Sequence, residues 1–314
     1  MGHGKSMPEL LVIANGKLQR GSAGKRWAGI ASSLQDVFGG SVEICFTSAA
    51  GDATLMTRKA LLAGAGWLAA AGGDGTNYEV VNGFFERRTN LRPESLLSFL
   101  PCGSGNDWAR TLGLPVKPAQ LVKVLAESMV RSVDIGHVCF QDSAGAETER
   151  VFLNVAEAGV GAKMVGHLQT LSSSVLTRGG YLWHTLTAAL SYRPHRLEIT
   201  CEDHAPYHTE PLLSTIIANG QYFGAGMRCA PMARPDDGQL EVITIGEFSK
   251  FELMVKFRRL IRGTYLSEAR VTHRSVQSLC VQSDEEVFLE LDGELVGRLP
   301  ARFSILSRAL KIRC

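Results

Sequence analysis

The stretch Ala70–Gly83, AAGGDGTNYEVVNG, constrains the fold more than any other part of the chain. An apolar run from Gly66 to Ala71 enters it, and a helical pattern from about Asn77 to Arg87 leaves it. It therefore reads as strand, glycine loop and helix. Gly72, Gly73 and Gly75 let the backbone take φ > 0 conformations and bring its N–H groups against a ligand with no Cβ in the way. The helix that follows would turn its unpaired N–H groups and positive dipole end toward the same anion. Such a loop suits phosphate. Asp74 is the odd member, because a carboxylate among phosphates repels them unless a divalent cation lies between, so it points to a Mg²⁺-nucleotide. A plain turn in which Asp74 or Thr76 caps the helix accounts for the same residues.

The flanking chain repeats this grammar. Leu10–Ala14 is a short apolar run that ends at Asn15-Gly16-Lys17, as a buried strand of a parallel sheet does. Trp27, Ile30, Ala31, Leu34, Val37 and Phe38 then recur at helical spacing. Val42–Phe46 makes the next strand and closes on Thr47, a helical segment runs from Asp52 to Ala63, and Leu96–Leu100 makes a fourth strand before Pro101. Strands alternating with helices predict a doubly wound, Rossmann-like parallel sheet, whose ligands bind beyond the carboxyl ends of the strands. Asn15, Thr47, Asp74 and Ser104 all fall at those ends. Ser104-Gly105-Asn106-Asp107 also reads as a turn with a helix cap.

From Val130 the runs become shorter, more alternating and β-branched, which predicts a second, β-sandwich-like domain beginning near Asp134. Expected helices cover about Ala162–Leu171 and Gly180–Ser191. Expected strands lie at His195–Cys201, Pro211–Ala218, Leu240–Ile245, Val276–Gln282 and Val287–Leu291, with Ala309–Arg313 returning to the first domain. Asp292-Gly293 between two strand runs predicts a tight hairpin. The chain of 314 residues is long enough for two domains of ordinary size.

A net charge of +2 gives no case for nucleic acid. Seven cysteines with no CxxC pair read as reduced cytosolic thiols, with neither disulfides nor zinc expected. The longest apolar run, Leu61–Ala71, is far shorter than the roughly 20 residues that span a bilayer, and no secretory leader is expected. Met1-Gly2 formally fits a myristoylation start and Gly4-Lys5-Ser6 mimics the end of a P-loop; both read as chance matches.

Five segments, in order, resemble the diacylglycerol kinase catalytic domain family, which includes bacterial lipid kinases, sphingosine kinases and ceramide kinases. They are GGDGT with Glu79 and Val-Val-Asn-Gly; Gly103-Ser104-Gly105-Asn106-Asp107-Trp108-Ala109-Arg110 with Leu112-Gly113-Leu114-Pro115; Asp134-Ile135-Gly136 with Phe152-Leu153-Asn154 and Gly159-Val160-Gly161; Asn219–Gly226 with Pro231–Gly238; and Asp292-Gly293-Glu294. Ser104 replaces the family's Thr and Trp108 its Phe. Tyr78 stands where the family has Asn, and Gly224-Ala225-Gly226 stands for three glycines. NAD kinases and phosphofructokinases share the GGDG loop alone.

The resemblance implies a two-domain α/β chain of the NAD kinase/diacylglycerol kinase type. Residues 8–133 with about 305–314 would form the nucleotide domain, and residues 134–304 a β-rich lipid-binding domain. It implies ATP and Mg²⁺ as cofactors. Asn15, Thr47, Gly72, Gly73, Asp74, Gly75, Thr76, Asn77, Tyr78, Glu79 and Ser104 would line the nucleotide, with Asp74 and Asp107 among the catalytic carboxylates. Glu294 would accept the proton of a lipid hydroxyl. Asp237 would hold a structural Mg²⁺ with the carbonyls of Arg234 and Gln239, and Asp134 through water. A lipid at a membrane surface is the implied partner, diacylglycerol first, for a cytoplasmic protein peripheral to the inner membrane. An NAD kinase and a non-enzymatic lipid- or nucleotide-binding relative are the competing readings, and the sequence leaves a homodimer open.

Lys250–Arg262 carries Leu253, Phe257, Leu260 and Ile261 on one helical face, with Lys256, Arg258, Arg259 and Arg262 largely off it. A helix packed on its own sheet and a helix lying on anionic lipid both fit this pattern.

Overall fold

The computed structural model describes residues 8–169, 178–202 and 206–314. The Met1-Gly2 and Gly4-Lys5-Ser6 matches, and the end of the helix expected to reach Leu171, lie outside the described residues. The chain divides into two compact units, one up to Val133 together with Arg308–Cys314, the other Asp134–Ser307.

The first unit runs β1 (Leu10–Ala14), α1 (Gly21–Phe38), β2 (Val42–Phe46), α2 (Asp52–Leu62), β3 (Trp67–Gly72) and α3 (Asp74–Phe84). A small hairpin of β4 (Phe85–Glu86) and β5 (Thr89–Asn90) follows, then β6 (Leu96–Pro101), α4 (Asp107–Thr111) and α5 (Pro118–Glu127). Its parallel sheet has the order β2-β1-β3-β6, and Lys311 and Ile312 near the C-terminus add in parallel beside Leu96 and Leu97. Every residue of β1 and β3 is buried because both faces are covered. Leu10, Val12, Ala14, Trp67 and Ala69 meet Trp27, Ile30 and Leu34 of α1 and Leu121 and Leu125 of α5 in one core cluster.

The glycine loop differs from its expected form. Helix α3 starts at Asp74, not near Asn77, and Gly73 is extended at φ −100° and ψ −169°. The amides of Thr76 and Asn77 both donate to the Gly73 carbonyl, so the loop is drawn into the first helical turn. Gly72, Gly73 and Gly75 are not among the residues at positive φ. Glycine is needed here for close approach: a Cβ on Gly72 would fall 2.2 Å from Thr76 Oγ1. The helix also ends earlier than Arg87, at Phe84, where the chain enters the β4–β5 hairpin.

In the second unit β7 (Val130–Gln141), β8 (Glu147–Phe152) and β9 (Val155–Gly159) lead to α6 (Val160–Gln169) and α7 (Arg178–Ser191). Then come β10 (Glu198–Cys201), β11 (Tyr207–His208), β12 (Leu212–Ala218), β13 (Leu240–Gly246) and α8 (Lys250–Arg262). Last are β14 (Val271–Val276), β15 (Ser278–Gln282), β16 (Phe288–Leu291) and β17 (Glu294–Arg313). One run has the order β14-β13-β12-β9-β16-β17; β17 also pairs with β15 and β7, which carry β10, β11 and β8. Sharing one long strand between two runs makes the unit β-sandwich-like. Helix α8 is bounded as its sequence dictates, by a Ser249/Glu252 capping box and by Gly263 at φ 72°.

Candidate active site

In the first unit the two punctuated loops meet because their strands are neighbours in register, Gly72 opposite Pro101. The amides of Cys102 and Gly103 both donate to the Gly72 carbonyl, at 2.7 and 3.1 Å. Asn106, at φ 53°, accepts from Gly103 N through Oδ1 at 2.9 Å and so closes the turn that starts α4. Asp74 Oδ1 accepts from Trp108 N at 3.2 Å, which puts this carboxylate at the head of α4 as well as α3. Burial raises the Asp74 pKa, while the amides of Asp107, Trp108 and Asn106 pull it down. Asp107 is itself buried as the first residue of α4, and Trp108 packs edge-on against Phe99 behind it. A Cβ on Gly103 would stand 2.5 Å from Gly73 Cα, a backbone atom that cannot swing away. Gly103→Ala is therefore expected to cost about 1–3 kcal/mol, read as a lower thermal midpoint, because backbone must shift. An unchanged midpoint would show that the loops are not closely apposed.

Asn15 and Thr47 lie one residue beyond β1 and β2. Asn15 Nδ2 donates to Thr76 Oγ1 at 3.1 Å and Gly16 N donates to Thr47 Oγ1 at 3.2 Å, so the strand-end loops are tied to one another. Thr76, Asn77 and Tyr78 are buried and Ser104 is exposed. Glu79 caps α2: its Oε1 accepts from Gly51 N at 2.9 Å and its Oε2 from Ala53 N at 3.1 Å.

In the second unit Asp292 (φ 50°) and Gly293 (φ 89°) form the two-residue turn between Leu291 and Glu294, as the Asp-Gly pair predicts. Two carboxyl groups hold it. Asp292 accepts from the amides of Leu153, Asn154 and Val155 at 2.7 to 3.0 Å, and Glu290 Oε2 accepts from Gly293 N at 2.7 Å. Asn219 Nδ2 donates to the carbonyls of Leu153 and Asp134, at 2.6 and 3.0 Å. The Phe152–Asn154, Asn219-Gly220 and Asp292–Glu294 segments are thus brought together, leaving Glu294 half-buried at the start of β17.

The Pro231–Gly238 loop folds over Asp134. Asp134 N donates to the Pro235 carbonyl at 2.8 Å and its Oδ2 accepts from Gly238 N at 2.6 Å. Asp237 is exposed at the turn and accepts from Gln239 N at 3.0 Å. Partial desolvation of its carboxyl, and the nearby charges of Glu241, Asp134 and Asp236, raise its pKa against the downward pull of the Gln239 amide. Crowded carboxylates beside main-chain carbonyls are a donor set that a hard divalent cation fits.

Residues 9–138 match the diacylglycerol kinase catalytic domain, and residues 154–314 match the YegS C-terminal NAD kinase beta sandwich-like domain. The chain belongs to the diacylglycerol kinase catalytic domain family. Family relatives include a "Probable lipid kinase YegS-like" protein of Pseudomonas aeruginosa (strain PAO1), 30% identical and covering 97% of this chain and 93% of its own. A "Diacylglycerol kinase" of Bacillus subtilis (strain 168) is 27% identical over 85% of this chain and 83% of its own. In fold, the chain matches the crystal structure of a diacylglycerol kinase from Bacillus anthracis str. Sterne with a TM-score of 0.69, at 20% identity over 99% of this chain and 98% of that one. Membership of this family makes the protein a lipid kinase and implies ATP use. No helix among the described residues is long and apolar enough to cross a membrane.

The family motifs do not contain two further carboxyl groups that the fold sets beside the hairpin. Glu157 of β9 and Glu290 of β16 are buried and face each other in register. Glu157 Oε1 accepts from Ser214 Oγ at 2.6 Å and Oε2 from Ala162 N at 2.7 Å, at the head of α6. Burial pushes its carboxyl up to about 7, against the downward pull of Ser214 and the Gly161 and Ala162 amides. Burial, and then the charge of Glu157, also raise Glu290 well above the carboxylate range. Glu157 further lines an apolar cavity of about 850 Å³, its open mouth included, walled by Met164, Leu213, Ile216, Met227, Leu253 and Phe257.

A carboxyl whose folded pKa lies above its unfolded value of 4.5 stabilises the fold fully below about pH 4.5 and loses that contribution as pH rises through about 7. For Glu157 the shift corresponds to about 3 kcal/mol. The stability of wild type relative to Glu157→Gln is thus expected to fall by about that amount between roughly pH 4.5 and pH 8, read by urea unfolding. A pH-independent difference would mean that folding leaves the Glu157 carboxyl unshifted.

Proposed function

We propose that the protein transfers the γ-phosphoryl group of ATP to a lipid hydroxyl, with diacylglycerol the first candidate acceptor and phosphatidic acid the product. The observation that carries this reading is the apolar cavity in the same unit as the Asp292–Glu294 hairpin, since strand β9 both bounds the cavity through Glu157 and pairs with the strand that leads into the hairpin. A cavity lined in this way suits acyl chains and offers few partners to the ribose and amide groups of NAD. The reading thus lodges the acyl chains inside the second unit.

In this reading Glu294 accepts the hydroxyl proton as the new O–P bond forms and the bond to the ADP oxygen breaks. Asp74, beside the head of α4, would hold Mg²⁺ for the phosphates, and Asp107 would support it. Bound Mg²⁺ would neutralise the phosphate charge. Asp237, the carbonyls of Arg234 and Gln239, and Asp134 through water would hold a second, structural Mg²⁺. The enzyme would act at the cytoplasmic face of the membrane.

The test is incubation of purified protein with labelled ATP, Mg²⁺ and diacylglycerol, phosphatidylglycerol, sphingosine or ceramide in mixed micelles, with NAD in parallel. Label in a lipid product is expected. Label in NADP alone would overturn the reading.

A further inference from the structure

Helix α8 is apolar on two opposite sides. Leu253, Phe257 and Leu260 face inward and wall the cavity. On the other side Phe251, Met254 and Val255 are 72%, 52% and 61% exposed. Arg258 and Arg262 continue that outer stripe at helical spacing and are also exposed. A helix serving only to cover a core would present polar residues there. Helix α7 packs on α8 and exposes Trp183 at 63%.

The charges around this face are sorted. Lys256 and Arg259 pair with Glu268, and Arg270 pairs with Glu252, so the acidic groups at the helix are neutralised locally. Lys250, Arg258 and Arg262 take part in no ion pair among the described residues. What remains outward on α8 is an apolar stripe with positive charge along it, and the neighbouring α7 exposes a tryptophan. That combination complements an anionic bilayer, where aromatic and aliphatic side chains enter the acyl boundary while cations meet lipid phosphates.

We infer that the outer face of α8, with Trp183 of α7, docks on an anionic lipid bilayer, so that the helix walling the cavity also rests on the membrane that holds its substrate. Phe251, Met254 and Val255 enter the acyl boundary; Lys250, Arg258 and Arg262 contact phosphates. The identity of the occupant rests on the lipid kinase reading, whereas the surface itself needs no turnover.

The test is co-sedimentation of the full chain, without ATP, with vesicles of phosphatidylcholine alone or mixed with phosphatidylglycerol. Wild type should bind the mixed vesicles and lose affinity at high salt. Phe251→Ser with Met254→Ser should weaken binding at least about tenfold. Arg258→Glu with Arg262→Glu should abolish the preference for phosphatidylglycerol. Both double variants should keep wild-type thermal midpoints and wild-type turnover of lipid in detergent micelles, because none of the four side chains lines the cavity. Vesicle binding unchanged in both variants would overturn the inference while leaving the kinase reading intact. A wild-type dimer in vesicle-free solution that the Phe251/Met254 variant dissociates would also overturn it, assigning the face to a second copy of the chain. Vesicle binding as expected, with no lipid phosphorylated in micelles, would sink the kinase reading alone.

Discussion

Glu294→Gln is expected to fold and to bind ATP as wild type does, while its turnover on lipid falls by about 10²- to 10⁴-fold, the range that a positioned general base supplies. The expectation rests on how the hairpin is held. Asp292 takes three backbone amides and Glu290 takes the Gly293 amide, so carboxyl groups other than Glu294 fix the turn. The amide of Gln keeps the shape and removes the basic site. A fall in kcat with the same KM for ATP would place the lost interaction at the chemical step. Wild-type turnover by the variant would remove Glu294 from the reaction.

On the proposed function, Asp74→Ala is expected to lower kcat/KM for Mg²⁺-ATP by at least about a hundredfold, since a Mg²⁺ held there would supply several kcal/mol of phosphate charge stabilisation. The protein-only role of the side chain is small by comparison: it accepts from Trp108 N at 3.2 Å and draws on the Asp107 and Asn106 amides at the head of α4, a helix cap worth about 1 kcal/mol. The thermal midpoint without nucleotide should therefore move little while stabilisation by Mg²⁺-ATP disappears. Equal nucleotide-dependent shifts in wild type and variant would show that the carboxylate serves only as a cap. The raised pKa of Asp74 adds a direction: metal binding requires the ionised form, so Mg²⁺-ATP affinity in wild type should weaken on acidification.

Much of the first unit can be read from its residues, because a strand covered on both faces must be apolar throughout, as Leu10–Ala14 and Trp67–Gly72 are, and a helix between such strands must repeat its apolar face every three to four residues. Asn15, Thr47, Asp74 and Ser104 follow from that rhythm alone, since they come just beyond the ends of strands. Asp292-Gly293 is equally local: two successive residues at positive φ demand that dipeptide or one like it. The glycine loop was legible as a place where no Cβ fits. Its backbone conformation was not, because Gly72 is required by the Thr76 side chain folding over it and Gly73 by the neighbouring Gly103.

Glu157 and Glu290 carry no mark in the sequence, where each is a charged residue within a β pattern. Register sets them opposite one another and the surrounding layers bury them, so their desolvation belongs to the assembled sheet. Helix α8 makes the same distinction from the other side. Its periodicity picked out Leu253, Phe257, Leu260 and Ile261 as one face, of which the first three wall the cavity, but apolar residues line two faces, and what packs against the helix decides which of them water reaches. The amino-acid sequence by itself determined the strand ends, the Asp292-Gly293 turn and the motif residues, since these depend on a few neighbouring side chains. Burial, strand pairing and the titration of buried carboxyl groups were decided only by tertiary structure, because a side chain's solvation depends on distant segments that no local pattern records.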